Sequence, residues 1–320
     1  MVALTRSRKN AEPLPEAVTV VEGDITEKES MREAMTGVDG VFHIAAWYFI
    51  GHGPHETEQA ERINVDGTRN VLELMAELVI PKGVYTSTIG VYPPLKEGVL
   101  DESIDPDRPD WTVYTRTKWQ AHYEVAKPMI DEGVPLVIVQ LGFVYGPGDK
   151  QASPPRKSMH ADLQGELPII PRRWTAPWDH VGDTAHGHLL AMTHGEPGET
   201  YLIAGEPRQL VEVFECAETI TGIPVPRAVP PAVFRGLARI MAVVERFVTP
   251  PDGVEAESLR GLGTANWPVD NTKATTELGL EHRPLDQGMQ EYLDWEMNEL
   301  GIRDAQHTSR GVAEQSRSFI

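Results

Sequence analysis

The stretch INVDGTRNVLELMAELVIPKGVYTSTIGVY (residues 63–92) predicts a helix that leads into a buried strand. Its first half carries apolar residues near helical spacing, which indicates one buried stripe: Ile63, Val65, Val71, Leu72 and Met75. Its second half contains Gly83–Thr86, a short β-branched run of the kind found in strands. A helix followed directly by such a strand is typical of a parallel sheet that helices cover on both faces.

The same alternation extends over the first 205 residues and predicts an α/β fold. We predict strands at Val2–Thr5, Val18–Glu22, Gly40–Ile44, Gly83–Thr86, Leu136–Gln140 and Thr200–Ile203, and helices at 27–36, 57–79, 112–131 and 181–194. Beyond residue 205 the pattern is helical, with proline-rich punctuation and no clear strand. We therefore expect a sheet domain over 1–150, to which 178–205 returns, a smaller, mostly helical lobe over 151–300, and a mobile tail over 301–320.

Composition excludes several classes of partner. The chain has 320 residues and a formal charge of −19, which argues against a nucleic-acid or anionic-membrane partner. No apolar run approaches the roughly 20 residues that span a bilayer, and no signal peptide is expected from VALT at the start. The single cysteine, Cys216, excludes an intramolecular disulfide and is typical of a reducing cytoplasm.

Three residues predict proton-transfer chemistry. Tyr114 and Lys118 are four apart on a predicted helix and therefore share one face. A nearby ammonium is expected to lower the pKa of the phenol toward neutrality, which would make Tyr114 a general acid or base. Thr88, just past a strand end, could donate a hydrogen bond to a substrate carbonyl oxygen. The alternative for the pair is a half-buried tyrosine beside a surface lysine.

Seven segments occur in an order that resembles the extended short-chain dehydrogenase/reductase family of NAD(P)-dependent epimerases, dehydratases and reductases. They are VEGDIT (21–26), FHIAAW (42–47), INVDGTRNVLE (63–73), YTSTIGVY (85–92), VIVQLGFVYGPGD (137–149), DHVGDTAHGHLLAM (179–192) and DNTKATTELG (270–279). The resemblance implies a Rossmann-like, doubly wound sheet. The sequence departs from the family pattern at Gln140 and Leu141, where the family usually has Arg-Pro.

The resemblance implies roles for particular residues. Thr88, Tyr114 and Lys118 would be catalytic, Lys118 would also bind a cofactor ribose, and Asn64 would bond the central backbone. The implied cofactor contacts are Asp24 and Ile25 at the adenine, Ala45 and Ala46 after the third strand, Thr86, Tyr114 and Lys118, and Phe143 and Val144 at the nicotinamide.

The Gly-x-x-Gly-x-x-Gly turn of this family is absent from the sequence. The first residues, MVALTRSRKN, resemble the second strand of the family and its turn, so we expect a strand, a glycine-rich turn and a helix upstream of Met1. The alternative is a genuinely degraded core. Without that turn, residues 1–320 are expected to bind a cofactor weakly or not at all. The turn after Val2–Thr5 offers Arg6 and Arg8 in place of an acidic residue, which favours NADP over NAD.

The substrate is less determined by the sequence. Trp47, Tyr48 and Phe49, with Trp178 in WTAPWDHV (174–181), favour an apolar small molecule, although these rings could equally pack the lobe on the sheet. A carbonyl reductase or hydroxyl dehydrogenase is therefore expected. A nucleotide-sugar epimerase or dehydratase and a non-catalytic binding protein derived from the family are the alternatives.

The last two predictions concern a metal site and the oligomeric state. His180, His186, His188 and His194 lie close in sequence but no carboxylate or cysteine completes a metal site, so no metal is expected. Relatives often dimerise through the helix that bears Tyr114, so the resemblance implies a homodimer.

Overall fold

The computed structural model describes residues 1–11, 14–48, 54–108, 112–248, 250, 253–264 and 266–302. The strands are β1 (Val2–Thr5), β2 (Thr19–Glu22), β3 (Val41–His43), β4 (Gly83–Thr88), β5 (Leu136–Leu141), β6 (Phe143–Tyr145), β7 (Ile169–Pro171), β8 (Thr175–His180), β9 (Thr200–Ile203), β10 (Pro207–Gln209) and β11 (Arg227–Val229). In the described part of the chain, no helix is long and apolar enough to cross a membrane.

The helices are α1 (Lys28–Met35), α2 (Pro54–Ala60), α3 (Gly67–Glu77), α4 (Val113–Trp119), α5 (Lys127–Asp131), α6 (Pro154–Leu163), α7 (Val181–His194), α8 (Leu210–Thr221), α9 (Pro231–Val244), α10 (Ala256–Leu262) and α11 (Leu285–Glu299). Wider helical turns at Glu61–Asp66 and Gln120–Ala126 join α2 to α3 and α4 to α5. The predicted helices 57–79 and 112–131 are thus each continuous in the structure.

The central sheet is parallel, with strand order β3-β4-β5-β9. Residues of β4 and β5 are almost all buried, as expected for strands that helices cover on both faces. Tyr85 and Ile138 face the cluster that contains α3, whereas Val84 and Val137 face α7. The α/β, Rossmann-like prediction is confirmed, and each of its six strands is present within two residues of the predicted bounds at either end.

The pair β1–β2 forms a separate parallel sheet. Among the described residues, neither β1 nor β2 pairs with β3, whose partner is β4 alone. Phe42, Val84 and Val137 lie side by side on β3, β4 and β5. Val84 and Val137 are fully buried, whereas Phe42 is 37% exposed. Ile44, just past β3, is 58% exposed. Within the described part of the chain, the edge of β3 that faces away from β4 is therefore uncovered.

The two sheets are nevertheless joined through helices. Leu4 on β1 and Ile25 after β2 pack against the apolar cluster that includes Leu72 and Met75 of α3. Gly67 at the start of α3 permits this contact, since a Cβ there would lie 2.7 Å from Ile25 Cδ1.

The region after β5 contains short strands that the sequence pattern does not predict. β6, β8 and β10 form one sheet, and β7 pairs with β11 in another. Strands β10 and β11 contradict the expectation that residues beyond 205 are helical without strands. Each is three residues long, too short to show an alternating pattern, and each is specified by its partner strand. The division into domains stays a prediction, and the predicted tail lies outside the described residues from 303 onward.

Asn64 fixes the loop after β3. Its side chain is 1% exposed, accepts a hydrogen bond from Trp47 N at 2.7 Å, and donates to Trp47 O at 3.0 Å and to Thr117 Oγ1 at 2.9 Å. One amide thus ties the carboxyl end of β3 to the helix α4.

Replacing Asn64 is expected to destabilise the fold strongly. Asn64→Ala removes the buried partner of two backbone groups and one hydroxyl, so the free energy of unfolding should fall by about 3 kcal/mol. Asn70→Ala, which removes a single half-buried bond to Ile25 O, is the matched control and should cost about 1 kcal/mol. Urea unfolding of both variants measures the difference, and equal losses would contradict this role of Asn64.

Candidate active site

Thr88 lies at the carboxyl end of β4, where the strand turns into a short helical segment. Its hydroxyl accepts a hydrogen bond from Gly90 N at 3.1 Å, which caps that segment. A Cβ at Gly90 would lie 3.2 Å from Thr115 Cγ2, so this glycine lets α4 approach the strand end closely. The strand end and the helix therefore share one compact corner.

Helix α4 carries Tyr114 and Lys118 one turn apart. Thr112 caps the helix by accepting from Thr115 N at 2.8 Å, and this cap sets where the turn with Tyr114 begins. The Tyr114 hydroxyl lies near enough to the Thr88 side chain for Thr88 to lower the phenol pKa through hydrogen bonding. Lys118 Nζ donates to Thr86 O at 2.7 Å. The phenol, the ammonium and the hydroxyl predicted from the sequence thus converge at the carboxyl end of β4.

Burial dominates the electrostatics of this corner. It raises the pKa of Tyr114 to about 12, against a smaller opposing effect of the bond with Thr88. Burial also lowers the pKa of Lys118 to about 7. The expectation that the lysine lowers the tyrosine pKa is therefore wrong for the protein without ligands. The physical reason is that desolvation penalises both charged forms at once.

Lys118 is 3% exposed and lies 4.6 Å from the centre of the Tyr85 ring. Among the described residues, its hydrogen-bond acceptor is Thr86 O. Because an ammonium carries three donors, two remain for a ligand. This arrangement fits a group with adjacent hydroxyls, such as a ribose.

The predicted cofactor contacts follow several strand ends. Arg6 and Arg8 follow β1, Asp24 and Ile25 follow β2, Ala45 and Ala46 follow β3, Thr86 is in β4, and Phe143 and Val144 begin β6. Ligands of open parallel sheets bind outside the carboxyl ends of the strands, so these positions share the appropriate edge of their sheets.

The side chains at these positions differ in availability. Arg6, Ala45 and Ala46 are exposed. The Thr86 hydroxyl, in contrast, is engaged with His188 Nε2 at 2.8 Å, so Thr86 acts on Lys118 through its carbonyl. The Phe143 ring lies 4.9 Å from Trp174, which leaves its backbone as the part available at the strand end.

The predicted substrate residues separate into two groups. Tyr48 contacts Tyr114 edge-to-face, with ring centres 4.7 Å apart. Tyr48 is 51% exposed, although desolvation of its hydroxyl, with the neighbouring Tyr114, raises its pKa. Glu257 and Glu255 contribute to that rise, which indicates that the start of α10 is near the site. Trp178 is only 7% exposed and packs with Phe143 and Tyr145 in the aromatic cluster. Trp47 is half-buried, and Phe49 lies outside the described residues.

Sequence reasoning missed Asp179. Its fully buried carboxylate accepts from Gly142 N at 2.6 Å and from Gly205 N, and burial raises its pKa to about 7. Gly142 directly precedes the cofactor segment Phe143–Val144, so Asp179 fixes the backbone there. The signal in the sequence is weak: an acidic residue directly after the apolar run Ala176–Trp178.

Two histidines near the site are hydrogen-bonded within the protein. His188 contacts Thr86 and Thr184 O, and Ser87 contacts His122 Nδ1 at 2.9 Å. Among the described residues, no group of three or more histidine, cysteine or carboxylate side chains could hold a metal ion.

Comparison with known families gives a match over residues 1–204 to the NAD dependent epimerase/dehydratase family. The chain belongs to this family. Its members are NAD(P)-dependent epimerases, dehydratases and reductases, so the predicted class of enzyme and the resemblance are both confirmed.

Similar proteins include reductases and epimerases. The chain is 28% identical over 277 residues to sterol demethylase protein B of Methylococcus capsulatus, covering 82% of this chain and 80% of the relative. It is 29% identical over 301 residues to a putative dihydroflavonol 4-reductase of Synechocystis, covering 90% and 84%. Among solved structures, gox2253 aligns with a TM-score of 0.78 at 25% identity, covering 94% and 90%.

The lowered pKa of Lys118 predicts a dependence of stability on pH. Between about pH 7 and the ordinary lysine pKa of 10.5, the unfolded chain binds one more proton than the folded one. The stability of the wild type relative to Lys118→Met should therefore increase with pH, by about 3 kcal/mol between pH 7 and pH 9.5. Urea unfolding at the two pH values measures this change.

Lys28→Met is the matched control. Lys28 bonds Glu73 and Glu77, and these bonds raise its pKa, so its contribution stays constant over the same interval. A flat difference for Lys118→Met would show that its ammonium is solvated in the folded protein.

Proposed function

We propose that this protein is an NADP-dependent carbonyl reductase or hydroxyl dehydrogenase for an apolar small molecule. The observation that carries this proposal is the convergence of Tyr114, Thr88 and Lys118 at the end of β4. The Tyr114 hydroxyl is placed to donate a proton to the oxygen of a carbonyl under reduction, and the Thr88 hydroxyl to hydrogen-bond the same oxygen. When bound, the nicotinamide supplies the hydride for that carbon.

The protonation state of Tyr114 suits the role of the acid in carbonyl reduction. Because burial raises its pKa to about 12, the phenol is protonated at neutral pH and is ready to act as an acid. In the oxidative direction the same group must first lose its proton. Lys118 supports either direction, since its two spare donors are placed to hold the ribose beside Tyr114.

The proposed substrate class is supported by the surroundings of Tyr114. The Tyr48 ring contacts Tyr114, and Trp47 precedes it on the same loop. Two similar proteins are named as a sterol demethylase component and a dihydroflavonol reductase, and a third, from Mycolicibacterium neoaurum, as a 3-beta-hydroxysteroid dehydrogenase at 28% identity over 215 residues. These names support a fused-ring ketone or alcohol.

A second candidate is a nucleotide-sugar epimerase. Arg172, Arg173 and Arg235 line one cleft with Pro230 and Pro231, and such a cluster suits a diphosphate. A UDP-glucose 4-epimerase of Streptomyces lividans is also similar, at 27% identity over 252 residues. Inhibition of ketone reduction by UDP-glucose would favour this candidate.

The role of Tyr114 is tested in the polypeptide that binds NADPH more tightly of the two described in the next paragraph. Tyr114→Phe should lower the rate of ketone reduction about a hundredfold or more, because it removes the proton donor, with little change in the Kd for NADPH. Tyr123→Phe, on the same helical stretch but stacked on Trp119 and His122, is the matched control and should retain activity. Unchanged turnover in Tyr114→Phe would remove the phenol from the mechanism.

Cofactor binding is tested with two polypeptides. One consists of residues 1–320, and the other carries a fused strand, Gly-x-x-Gly-x-x-Gly turn and helix of about 30 residues ahead of Met1. We expect the extended polypeptide to bind NADPH about tenfold more tightly or better. The extension supplies a helix N-terminus for the pyrophosphate and a partner for the uncovered edge of β3. Titration of NADPH fluorescence measures both constants.

Two controls accompany that titration. An extension whose three glycines are replaced by valine should give no gain, because side chains prevent close approach to the pyrophosphate. In the extended form, Arg6→Ser with Arg8→Ser should weaken NADPH but not NADH. Tight NADPH binding by residues 1–320 alone would contradict the proposed dependence on the glycine turn.

A further inference from the structure

Helix α9 has an apolar face that the described protein leaves uncovered. Val233, Leu237, Ile240, Val243 and Phe247 are three or four residues apart, so they form one stripe along the helix. All five are exposed, Ile240 by 63% and Phe247 by 81%. The turn after α9 continues the stripe, because Phe247 N and Val248 N both donate to Val244 O.

A different face of the same helix anchors it to the protein. Phe234, Ala238 and Met241 pack against Leu259 and Leu262 of α10. The exposed stripe is therefore additional to the packing that folds the helix. Single exposed apolar residues are common on protein surfaces, but a row of five along one helix is not. A helix that is apolar on two faces is therefore expected to contact a second partner.

The charge around the stripe is opposite to that of the chain. Residues 227–248 contain four arginines, Arg227, Arg235, Arg239 and Arg246, and one acidic residue, Glu245, giving a local charge of +3 in a protein of −19. Glu245 is directed away from the stripe, because its carboxylate accepts from Ala256 N at 2.6 Å. Arg239 and Arg246 are exposed and lie on a third face, neither buried nor apolar.

We propose that α9 and the turn after it, residues 231–248, bind the surface of an anionic lipid bilayer. An interfacial helix inserts an apolar face between the acyl chains and presents arginines to the head groups, and residues 231–248 supply both. Each arginine near an anionic surface contributes to binding, whereas the acidic remainder of the chain is expected to face away from it.

A second copy of this chain fits the stripe less well. At a two-fold interface the same patch meets itself, so Arg239 and Arg246 of both copies would be brought together without acidic partners. The total charge of −19 conceals this local excess of arginine, so it does not exclude an anionic membrane as the partner of α9.

The docking surface also lies close to the candidate active site. α10 packs on α9, and Glu255 and Glu257 at its start lie near the Tyr48 hydroxyl. Docking would bring the Tyr48–Tyr114 corner close to the bilayer, where an apolar substrate is concentrated. The docking itself does not depend on the proposed reaction.

Flotation of the full chain with lipid vesicles tests the proposal. We expect binding to vesicles of phosphatidylcholine and phosphatidylglycerol, and weaker binding to phosphatidylcholine alone. Ile240→Glu with Phe247→Glu should lower the partition constant about tenfold or more, because charge replaces the inserting side chains. Val99→Glu with Leu189→Glu is the matched control: both residues are exposed by more than half, lie outside α9, and should leave binding unchanged.

The arginines are tested separately. Arg239→Gln with Arg246→Gln should lower binding to the anionic vesicles about thirtyfold and leave binding to neutral vesicles unchanged. Circular dichroism confirms that each variant is folded. The proposal fails if the full chain does not float, or if the Ile240→Glu, Phe247→Glu variant floats like the wild type.

Two other outcomes would assign the stripe to a different occupant and overturn the proposal. A dimer seen by analytical ultracentrifugation that Ile240→Glu with Phe247→Glu dissociates, without flotation of the wild type, would assign it to a second copy. Flotation that appears only after removal of residues 303–320 would assign it to the tail.

Discussion

The hydrogen bond from Lys118 Nζ to Thr86 O joins the helix α4 to the carboxyl end of β4, and the candidate site depends on it. With Lys118 held there, Tyr114 one turn earlier meets the Thr88 side chain two residues further along the strand. The bond is made inside the protein, where burial lowers the lysine pKa to about 7. A buried amine with spare donors is costly for an apoprotein, and a ligand that accepts from it would offset that cost.

The edge of β3 is exposed, in contrast to the buried corner around Lys118. β4 and β5 are covered on both faces, yet Phe42 and Ile44 at β3 are exposed. Among the described residues, β1 pairs with β2 and not with β3. The β1–β2 unit holds its place through side-chain packing on α3 rather than through backbone hydrogen bonds to the central sheet. Because the adenine-side candidates follow β1 and β2 whereas Tyr114 and Lys118 lie over β4, the cofactor contacts proposed for this chain span that division.

Buried polar groups, rather than ion pairs, position the backbone around the site. Asn64 holds the loop after β3, and Asp179 holds the segment before Phe143. Each satisfies backbone groups that would otherwise be buried without partners. The Asp179 carboxylate on β8 also joins two segments that leave the central sheet, because it accepts from Gly142 N after β5 and from Gly205 N after β9.

The sequence by itself determined the strands of the central sheet and the shared helix face of Tyr114 and Lys118, because strand runs and helical spacing are local properties. Thr88 was grouped with them only through the family resemblance. It did not predict β10 and β11, which are too short to show a pattern, nor Asp179, whose partners Gly142 and Gly205 are distant in the chain. The sequence also did not predict the exposed apolar stripe of α9, because the order of residues does not show which apolar side chains the fold leaves exposed. Only the tertiary structure decided the protonation of Tyr114 and Lys118, because a pKa depends on how much water the fold removes from each group.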